Sequence, residues 1–165
     1  MLVTRTYLEL TNRAQFRPAL GAFPNLTVRR EAAPTAALYR ELYRGVGGAY
    51  HWRDRWDWTD AQLAAHLAQP GITLHVARTG DSLAGFFELK REGPAAEIAY
   101  FGLMPGAIGR GLGKHLLSQA VTDAFGAGAS RVWLHTCTLD HPAALPNYQA
   151  RGFRVFKTEE YEQAG

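Results

Sequence analysis

Hydrophobic residues recur along the chain with two different spacings, and the spacing predicts where helices and strands lie. Apolar residues at every third or fourth position predict helices after Thr35, after Thr59 and over residues 111–125, with a shorter candidate at residues 142–151. Alternating or continuous apolar runs predict strands. The predicted strands are residues 26–30, 74–77, 83–90, 97–104, 131–138 and 153–157. Residues 7–17 mix polar and apolar positions and are predicted to be extended.

The ends of the helices carry their own signals. Thr59, followed three residues later by Gln62, is a capping-box pattern at the start of the second helix. Gly45, Gly47 and Gly48 are predicted to end the first helix, because glycine favours the left-handed conformation that follows many helix C-termini.

Turn residues predict how the strands are connected. Gly80 and Gly93 each lie in a short turn between two predicted strands, so we expect three antiparallel strands in series. The strand 97–104, the helix 111–125 and the strand 131–138 follow one another. A unit of this kind pairs its two strands in parallel through a right-handed crossover. The sequence therefore predicts an α+β (mixed α/β) fold, a mixed sheet with helices on both faces.

Length and composition indicate one globular domain, residues 1–165. The chain has 47% hydrophobic and 20% charged residues, a globular composition that argues against disorder. The net charge of +3 suits an anionic small ligand and gives no indication of nucleic-acid binding. No apolar run approaches the length that spans a bilayer, and the N-terminus lacks the apolar core of a signal peptide. We therefore expect a cytoplasmic protein that does not bind membranes.

A glycine-rich segment, Gly109-Arg-Gly-Leu-Gly113, lies between a predicted strand and the long helix. Glycines let the backbone approach a ligand closely, and free N–H groups at a helix N-terminus bind anions. Arg110 and Lys114 add positive charge. The segment is interpreted either as a phosphate or pyrophosphate site or as a tight turn that packs the helix against the sheet.

Two common phosphate-binding motifs do not fit this segment. A Walker loop requires Ser or Thr after Gly113-Lys114, where the chain has His115, and requires glycine five positions before Gly113, where it has Ile108. The dinucleotide fingerprint requires a third glycine at the position of Lys114.

Together with its flanking segments, the glycine loop resembles the GNAT superfamily of acetyl-CoA-dependent N-acetyltransferases. The family's glycine motif falls on residues 108–113, where Gly111 and Gly113 match and Ile108 replaces a polar residue. The second family segment falls on residues 141–153, where His141 replaces an asparagine. The resemblance covers residues 74–157 well and the first 70 residues in outline only.

The resemblance implies a mostly antiparallel sheet with a central parallel strand pair, and transfer of an acetyl group from acetyl-CoA to a primary amine. It implies that backbone groups of Leu103 bind the pantetheine arm and that the glycine loop binds the pyrophosphate. The cofactor-binding residues expected from it are Leu103, Met104, Ile108, Gly109, Arg110, Gly111, Leu112, Gly113, Lys114 and His141.

Acyl transfer to an amine requires a base for the amine proton and an acid for the departing thiolate. By resemblance, Tyr148 is the acid, although a core tyrosine is the other interpretation. Glu97 resembles the base of the histone-acetyltransferase branch, with a solvated carboxylate as the alternative. Glu88 on the preceding strand is the reserve base, and a water chain is a further possibility.

The segment around residues 52–58 contains three tryptophans, Trp52, Trp56 and Trp58. One interpretation is a loop whose rings cover one end of the core. The other is an acceptor site, because tryptophan faces bind ammonium groups. On the second interpretation these tryptophans contact the substrate.

Other chemistry is not expected from the remaining polar residues. His135, Asp140 and His141 match no closed metal site, so no metal is predicted. Cys137, the single cysteine, lies in an apolar strand and is interpreted as an inert thiol. A non-catalytic module that senses CoA or a nucleotide, and an acyltransferase with a different acyl-CoA donor, stay open as alternatives. The chain is expected to be a monomer or a homodimer.

Overall fold

Within residues 1–163, the part of the chain that the computed structural model describes, there are seven strands and four α-helices. The strands are β1 (Leu2–Leu10), β2 (Leu26–Arg30), β3 (Ile72–Thr79), β4 (Ser82–Glu92), β5 (Ala95–Leu103), β6 (Arg131–Cys137) and β7 (Arg154–Glu162). The helices are α1 (Ala36–Gly47), α2 (Asp60–Leu67), α3 (Leu112–Gly126) and α4 (Ala144–Ala150).

All seven strands form one sheet in the order β2-β3-β4-β5-β6-β1-β7. The neighbouring strands are antiparallel except for β5 and β6, which are parallel and are joined through α3. This confirms the predicted mixed sheet, including its hairpins at Gly80 and Gly93 and its central parallel pair.

The helices cover both faces of the sheet, as predicted. Helix α3 packs Leu116, Leu117 and Val121 against one face, in a core that also contains Leu134 of β6. Helices α1 and α2 pack on the opposite face, where their cluster includes Phe86 of β4. None of the helices within residues 1–163 combines the length and the apolar character needed to cross a membrane.

The first strand departs from the prediction. The segment 7–17 was expected to be extended, whereas β1 occupies Leu2–Leu10 and Arg13–Gln15 forms a short 3-10 turn. Strand β1 lies between β6 and β7 and is antiparallel to both. Leu8 and Leu10 are fully buried, but arginine and threonine residues interrupt the apolar pattern before them, so the strand carries a weak local signal.

The predicted end of the first helix is confirmed at Gly47, the last residue of α1, and at Gly48, its C-cap, whereas Gly45 lies inside the helix. Gly48 has a φ of −58°, so the helix ends there without a left-handed residue. A Cβ atom on Gly45 would lie 2.7 Å from the Sδ atom of Met104, and one on Gly47 would overlap the ring of Trp52. Gly45 and Gly47 therefore also allow close packing of the helix against Met104 and Trp52. The capping box of α2 is present as predicted, with Thr59 and Gln62 exchanging both hydrogen bonds.

Strands β5 and β6 separate soon after they begin to pair. Their parallel ladder consists of Ala95–Arg131, Ala96–Val132 and Glu97–Trp133, and the rest of each strand is unpaired on that side. On the other side of β5, the Met104 N–H donates a hydrogen bond to the carbonyl oxygen of Ala84 in β4 at 2.8 Å. Because peptide directions alternate along a strand, the peptide groups of Leu103 face the gap between β5 and β6.

Candidate active site

A cavity of about 930 Å³ occupies the gap between β5 and β6. At one end it is lined by the glycine loop, the start of α3 and helix α4. At the other end it is lined by residues 50–55, which lie between α1 and α2, and by the middle of β5. The residues of both predicted motifs therefore border one space.

The glycine loop has the conformation that its glycines permit. Gly109 and Gly111 have φ values of 85° and 75°, in the left-handed region that other residues rarely adopt. Gly111 is the residue before α3 and provides no side-chain cap. The N–H groups of the first turn of this 15-residue helix therefore point out of the helix N-terminus, where they can bind an anion.

Gly113 lies in the helix and needs no special φ value. A Cβ atom there would make only ordinary contacts, 3.8 Å from Cδ1 of Leu103 and 3.9 Å from Nδ2 of Asn147. Since Gly113 lines the cavity, the missing side chain leaves space for a ligand next to the helix N-terminus. The loop and Lys114 together fit a phosphate-bearing ligand.

Most of the predicted cofactor-binding residues border the cavity. They are Leu103, Ile108, Gly109, Gly111, Gly113, Lys114 and His141. Three others do not contribute side chains to it. Arg110 and Leu112 border a separate pocket of about 170 Å³ beside Phe23, and Met104 packs in the α1 cluster.

His141, which stands where the resembling family has asparagine, shapes the turn before α4. Its Nδ1 atom accepts a hydrogen bond from the Ala143 N–H at 3.0 Å. The imidazole thus replaces the short polar side chain as a local acceptor, and its ring lines the cavity. His141 therefore still provides a side-chain acceptor for the backbone of this turn.

Tyr148 lies on α4 and is buried against the rings of Phe101 and Phe153, each with its centroid 6.2 Å away. It also lines the cavity. Within residues 1–163 its hydroxyl makes no hydrogen bond to the protein. Burial, together with the charge of Asp140, raises the pKa of Tyr148, so the phenol stays protonated at neutral pH.

Glu97 is the last residue of β5 that pairs with β6, and it also lines the cavity. Burial raises the pKa of its carboxyl group, and Glu92 and Glu88 act in the same direction, whereas Lys90 opposes them. Lys90 is the cross-strand neighbour of Glu97 on β4. A raised pKa makes the Glu97 carboxylate a stronger base than an ordinary glutamate, which suits a residue that accepts a proton.

Glu88, the reserve base, has a different environment. Its carboxylate is fully buried and accepts hydrogen bonds from Tyr39 Oη at 2.7 Å, Arg55 Nη1 at 2.7 Å and His66 Nε2 at 2.9 Å. Burial alone would raise its pKa, but the hydrogen bond from His66 and the charge of Arg55 hold that pKa below the ordinary value. Glu88 does not border the cavity.

Of the three tryptophans, only Trp52 borders the cavity. Its ring packs against Tyr43 and Tyr100, with centroids 5.3 and 5.0 Å away. Trp56 and Trp58 instead lie under arginine side chains, with the Arg44 guanidinium 5.1 Å from the Trp56 centroid and the Arg55 guanidinium 5.1 Å from that of Trp58.

Asp140 satisfies the backbone at the end of β6. Its carboxylate accepts hydrogen bonds from the Cys137 N–H at 3.0 Å and from the Thr136 hydroxyl. Within residues 1–163, His, Cys, Asp and Glu side chains form no group of three or more that could hold a metal ion.

Several cavity residues have no sequence signal that distinguishes them from ordinary strand or helix residues. They are Arg5, Tyr43, Tyr100 and Tyr161. Arg5 and Tyr161 reach the cavity only because β1 and β7 pair beside β6, which is a long-range relationship. Asn147 also borders the cavity and could have been found, since it precedes Tyr148 within the recognised segment.

Comparisons with known sequences indicate one protein family. The sequence signature of the Acetyltransferase (GNAT) family matches residues 33–153. A mycothiol acetyltransferase from Mycobacteroides abscessus is 32% identical over 161 residues, which cover 88% of this chain and 53% of that protein. The chain therefore spans about half the length of this curated relative.

Solved structures share the fold. A GCN5-related N-acetyltransferase from Sphaerobacter thermophilus has a TM-score of 0.73 and 16% identity, covering 95% of this chain and 50% of that one. The PaiA N-acetyltransferase from Thermoplasma acidophilum, solved in complex with coenzyme A, has a TM-score of 0.52 and 20% identity over 62% of this chain and 74% of its own.

Proposed function

The chain belongs to the acetyltransferase (GNAT) family, and from this premise we propose that it transfers an acetyl group from acetyl-CoA to a primary amine of a small molecule or peptide. One observation carries the proposal. A single cavity contains an anion site at a helix N-terminus, a buried tyrosine hydroxyl and a carboxyl group with a raised pKa. These are the three groups that amine acetylation by a CoA thioester needs.

The residues present fit acetyl-CoA. The N–H groups that follow Gly111 and the ammonium of Lys114 would bind the pyrophosphate, and the space beside Gly113 would admit it. The peptide groups of Leu103, which face the gap, would bind the amides of the pantetheine arm. Acetyl-CoA supplies a thioester carbonyl that a neutral amine can attack directly in a ternary complex.

Glu97 would prepare the amine for this attack. An ammonium group has no free electron pair, so a base must first remove a proton. Glu97 takes that proton directly or through a water molecule. Its raised pKa makes it a stronger base than an ordinary glutamate. The new C–N bond then forms as the C–S bond breaks.

Tyr148 would act at the other end of the reaction. The departing sulfur carries negative charge as the C–S bond breaks, and a proton donor lowers the energy of that state. The Tyr148 hydroxyl donates its proton to the sulfur, and its raised pKa keeps it protonated until then. The nitrogen loses its second proton as the amide forms, and this proton replaces the one that Tyr148 gave to the sulfur. Its side chain is held between Phe101 and Phe153, so the hydroxyl is oriented before the reaction begins.

The acceptor would enter at the end of the cavity lined by Trp52, Tyr100 and Glu97. The name of the mycothiol acetyltransferase relative makes mycothiol-related amines the first class for an acceptor screen. The screen measures release of the CoA thiol from acetyl-CoA in the presence of each amine, with the Tyr148→Phe variant as the control. A protein that binds CoA but releases no thiol with any amine would be a sensor rather than an enzyme.

A further inference from the structure

Arg55 joins the loop between α1 and α2 to the middle of β4. Its Nη1 atom lies 2.7 Å from Oε1 of Glu88 and also donates to the Tyr39 hydroxyl. The main-chain N–H of Arg55 donates to the Tyr43 hydroxyl at 3.0 Å. Both the side chain and the backbone of this residue are therefore fixed to α1 and the sheet.

The Arg55–Glu88 pair is buried. The Glu88 side chain is 0% exposed and that of Arg55 is 13% exposed. Removal of one partner from a buried pair leaves the other as an uncompensated charge, which is far more costly than loss of a surface pair. The second Glu88 oxygen accepts from His66 at 2.9 Å, so α2 is attached to the same carboxylate.

The Arg55 guanidinium also packs on two aromatic rings, that of Tyr100 at the acceptor end of the cavity and that of Trp58 outside it. It lies 4.6 Å from the centroid of Tyr100 and 5.1 Å from that of Trp58. Tyr100 lines the cavity three residues after Glu97, and its hydroxyl lies 3.4 Å from Oδ2 of Asp54. The chain's own cation thus occupies the face of Tyr100 that an ammonium group could otherwise use.

We propose that Arg55 and Glu88 are positioning residues that hold the 51–58 loop against β4 and thereby set the acceptor wall formed by Trp52, Asp54 and Tyr100. The proposal rests on the proposed function, because it assigns this wall to the acceptor amine. The connection between Arg55 and this wall is the chain itself, because Trp52 lies three residues before Arg55 and Asp54 lies directly before it. If Arg55 moves, those two side chains move with it.

Arginine is required rather than any cation. A guanidinium can stack flat on Tyr100 while it donates to a carboxylate, whereas a lysine ammonium is a point charge that does not stack in this way. Arg55→Lys preserves the charge and removes the planar contact. Glu88→Gln preserves the shape of the side chain and removes the charge that Arg55 pairs with.

The controls come from a similar pair outside the cavity lining. Arg78 Nη1 lies 2.8 Å from Oε1 of Glu31, with side chains 30% and 23% exposed, and neither residue borders the cavity. Arg78→Lys and Glu31→Gln therefore make the same chemical changes without touching the acceptor wall.

The experiment measures acceptor KM and kcat, CoA affinity by calorimetry, and hydrogen exchange of amides 51–58 in all four variants. For Arg55→Lys and Glu88→Gln we expect acceptor KM to rise about tenfold or more while kcat stays within about threefold, because ground-state placement is lost. Amides 51–58 should exchange about tenfold faster, as expected for a locally loosened segment. CoA affinity and the two control variants should be unchanged.

The proposal is overturned if acceptor KM and loop exchange in Arg55→Lys match those of Arg78→Lys. It is also overturned if CoA affinity and kcat fall as acceptor KM rises. If Glu88→Gln does not fold, Arg55→Lys decides alone. If the unmodified protein acetylated no amine, the proposed function and the acceptor role would fail together, while hydrogen exchange would still show whether the pair holds the loop.

Discussion

Glu97 and Trp133 form the last pair of the parallel ladder between β5 and β6, and the cavity begins immediately beyond them. The same separation of strands leaves the Leu103 peptide groups free and opens space for the Tyr148 ring. One interruption in the sheet therefore creates both the binding space and the place of the candidate base.

Replacement of the Glu97 carboxyl group tests the base. In the unmodified protein, activity should rise with pH through a midpoint above the ordinary pKa of glutamate, because burial raises the pKa of this group and only the carboxylate accepts a proton. Glu97→Gln should lose about 10²–10⁴ in rate. It should also lose this rise with pH, with CoA affinity unchanged.

The pH profiles of kcat/KM for both proteins check this prediction. An unaltered acidic limb in Glu97→Gln would assign the titrating group elsewhere. Glu88→Gln should not remove the limb, because Glu88 does not border the cavity.

Replacement of Gly113 distinguishes a role in CoA binding from a role in folding. Gly113→Val should leave stability nearly unchanged, since valine is no worse than glycine inside a helix and a Cβ atom there makes only ordinary contacts. CoA affinity should fall by at least about tenfold, or 1.4 kcal/mol, because the new side chain fills the ligand space.

Gly126→Val is the matched control, since Gly126 lies in the last turn of the same helix and a Cβ atom there meets nothing within 4 Å. Calorimetric titration with CoA and thermal melting should be measured on both variants. Equal CoA affinity in the two would make Gly113 a packing residue only.

Removal of the Tyr148 hydroxyl tests the acid. Tyr148→Phe keeps the ring between Phe101 and Phe153, so CoA binding and stability should change little. The acetyl-transfer rate should fall by about 10²–10⁴. The loss should be smaller with acyl donors whose thiol is a better leaving group, because these need less help from an acid.

Tyr7→Phe provides the control for loss of a tyrosine hydroxyl, since Tyr7 bonds Glu159 at 2.6 Å and does not border the cavity. An equal rate loss with both kinds of donor would mean that Tyr148 positions the ligand instead of donating a proton.

CoA should stabilise the folded chain. A ligand present at a hundredfold excess over its Kd contributes about 2.7 kcal/mol. For a domain of this size, each kcal/mol raises Tm by roughly 2–4 °C, so a shift of about 5–10 °C is expected. Dephospho-CoA and pantetheine should be compared in the same melting experiment, because only the former carries the pyrophosphate that the glycine loop would bind.

Local signals in the sequence predicted much of this fold. The capping box of Thr59 and Gln62, the hairpin glycines and the glycine loop each depend on residues that are close in sequence, and each has the predicted conformation. The glycines near residue 47 likewise indicated the end of α1, but Gly45 lies inside the helix, where its missing side chain leaves room for the distant Met104.

The remaining features depend on pairing between distant segments. Nothing local in residues 2–10 indicates that this strand lies between β6 and β7. The bulge that leaves Ala99 unpaired opposite Glu88 and Leu89 is set by register across the β4–β5 hairpin. The Arg55–Glu88 contact joins residues 33 positions apart, and both residue types are common on surfaces, so it carried no signal.

Acetyl transfer itself is the most direct test of the central claim. The unmodified protein is incubated with isotopically labelled acetyl-CoA and a productive amine, and the acetylated amine and free CoA are quantified by mass spectrometry. Labelled acetyl-amine and CoA should form in equal amounts, with intersecting initial-rate lines, as direct attack in a ternary complex requires. Tight CoA binding without any labelled amine, or parallel lines with label on the protein, would contradict the account.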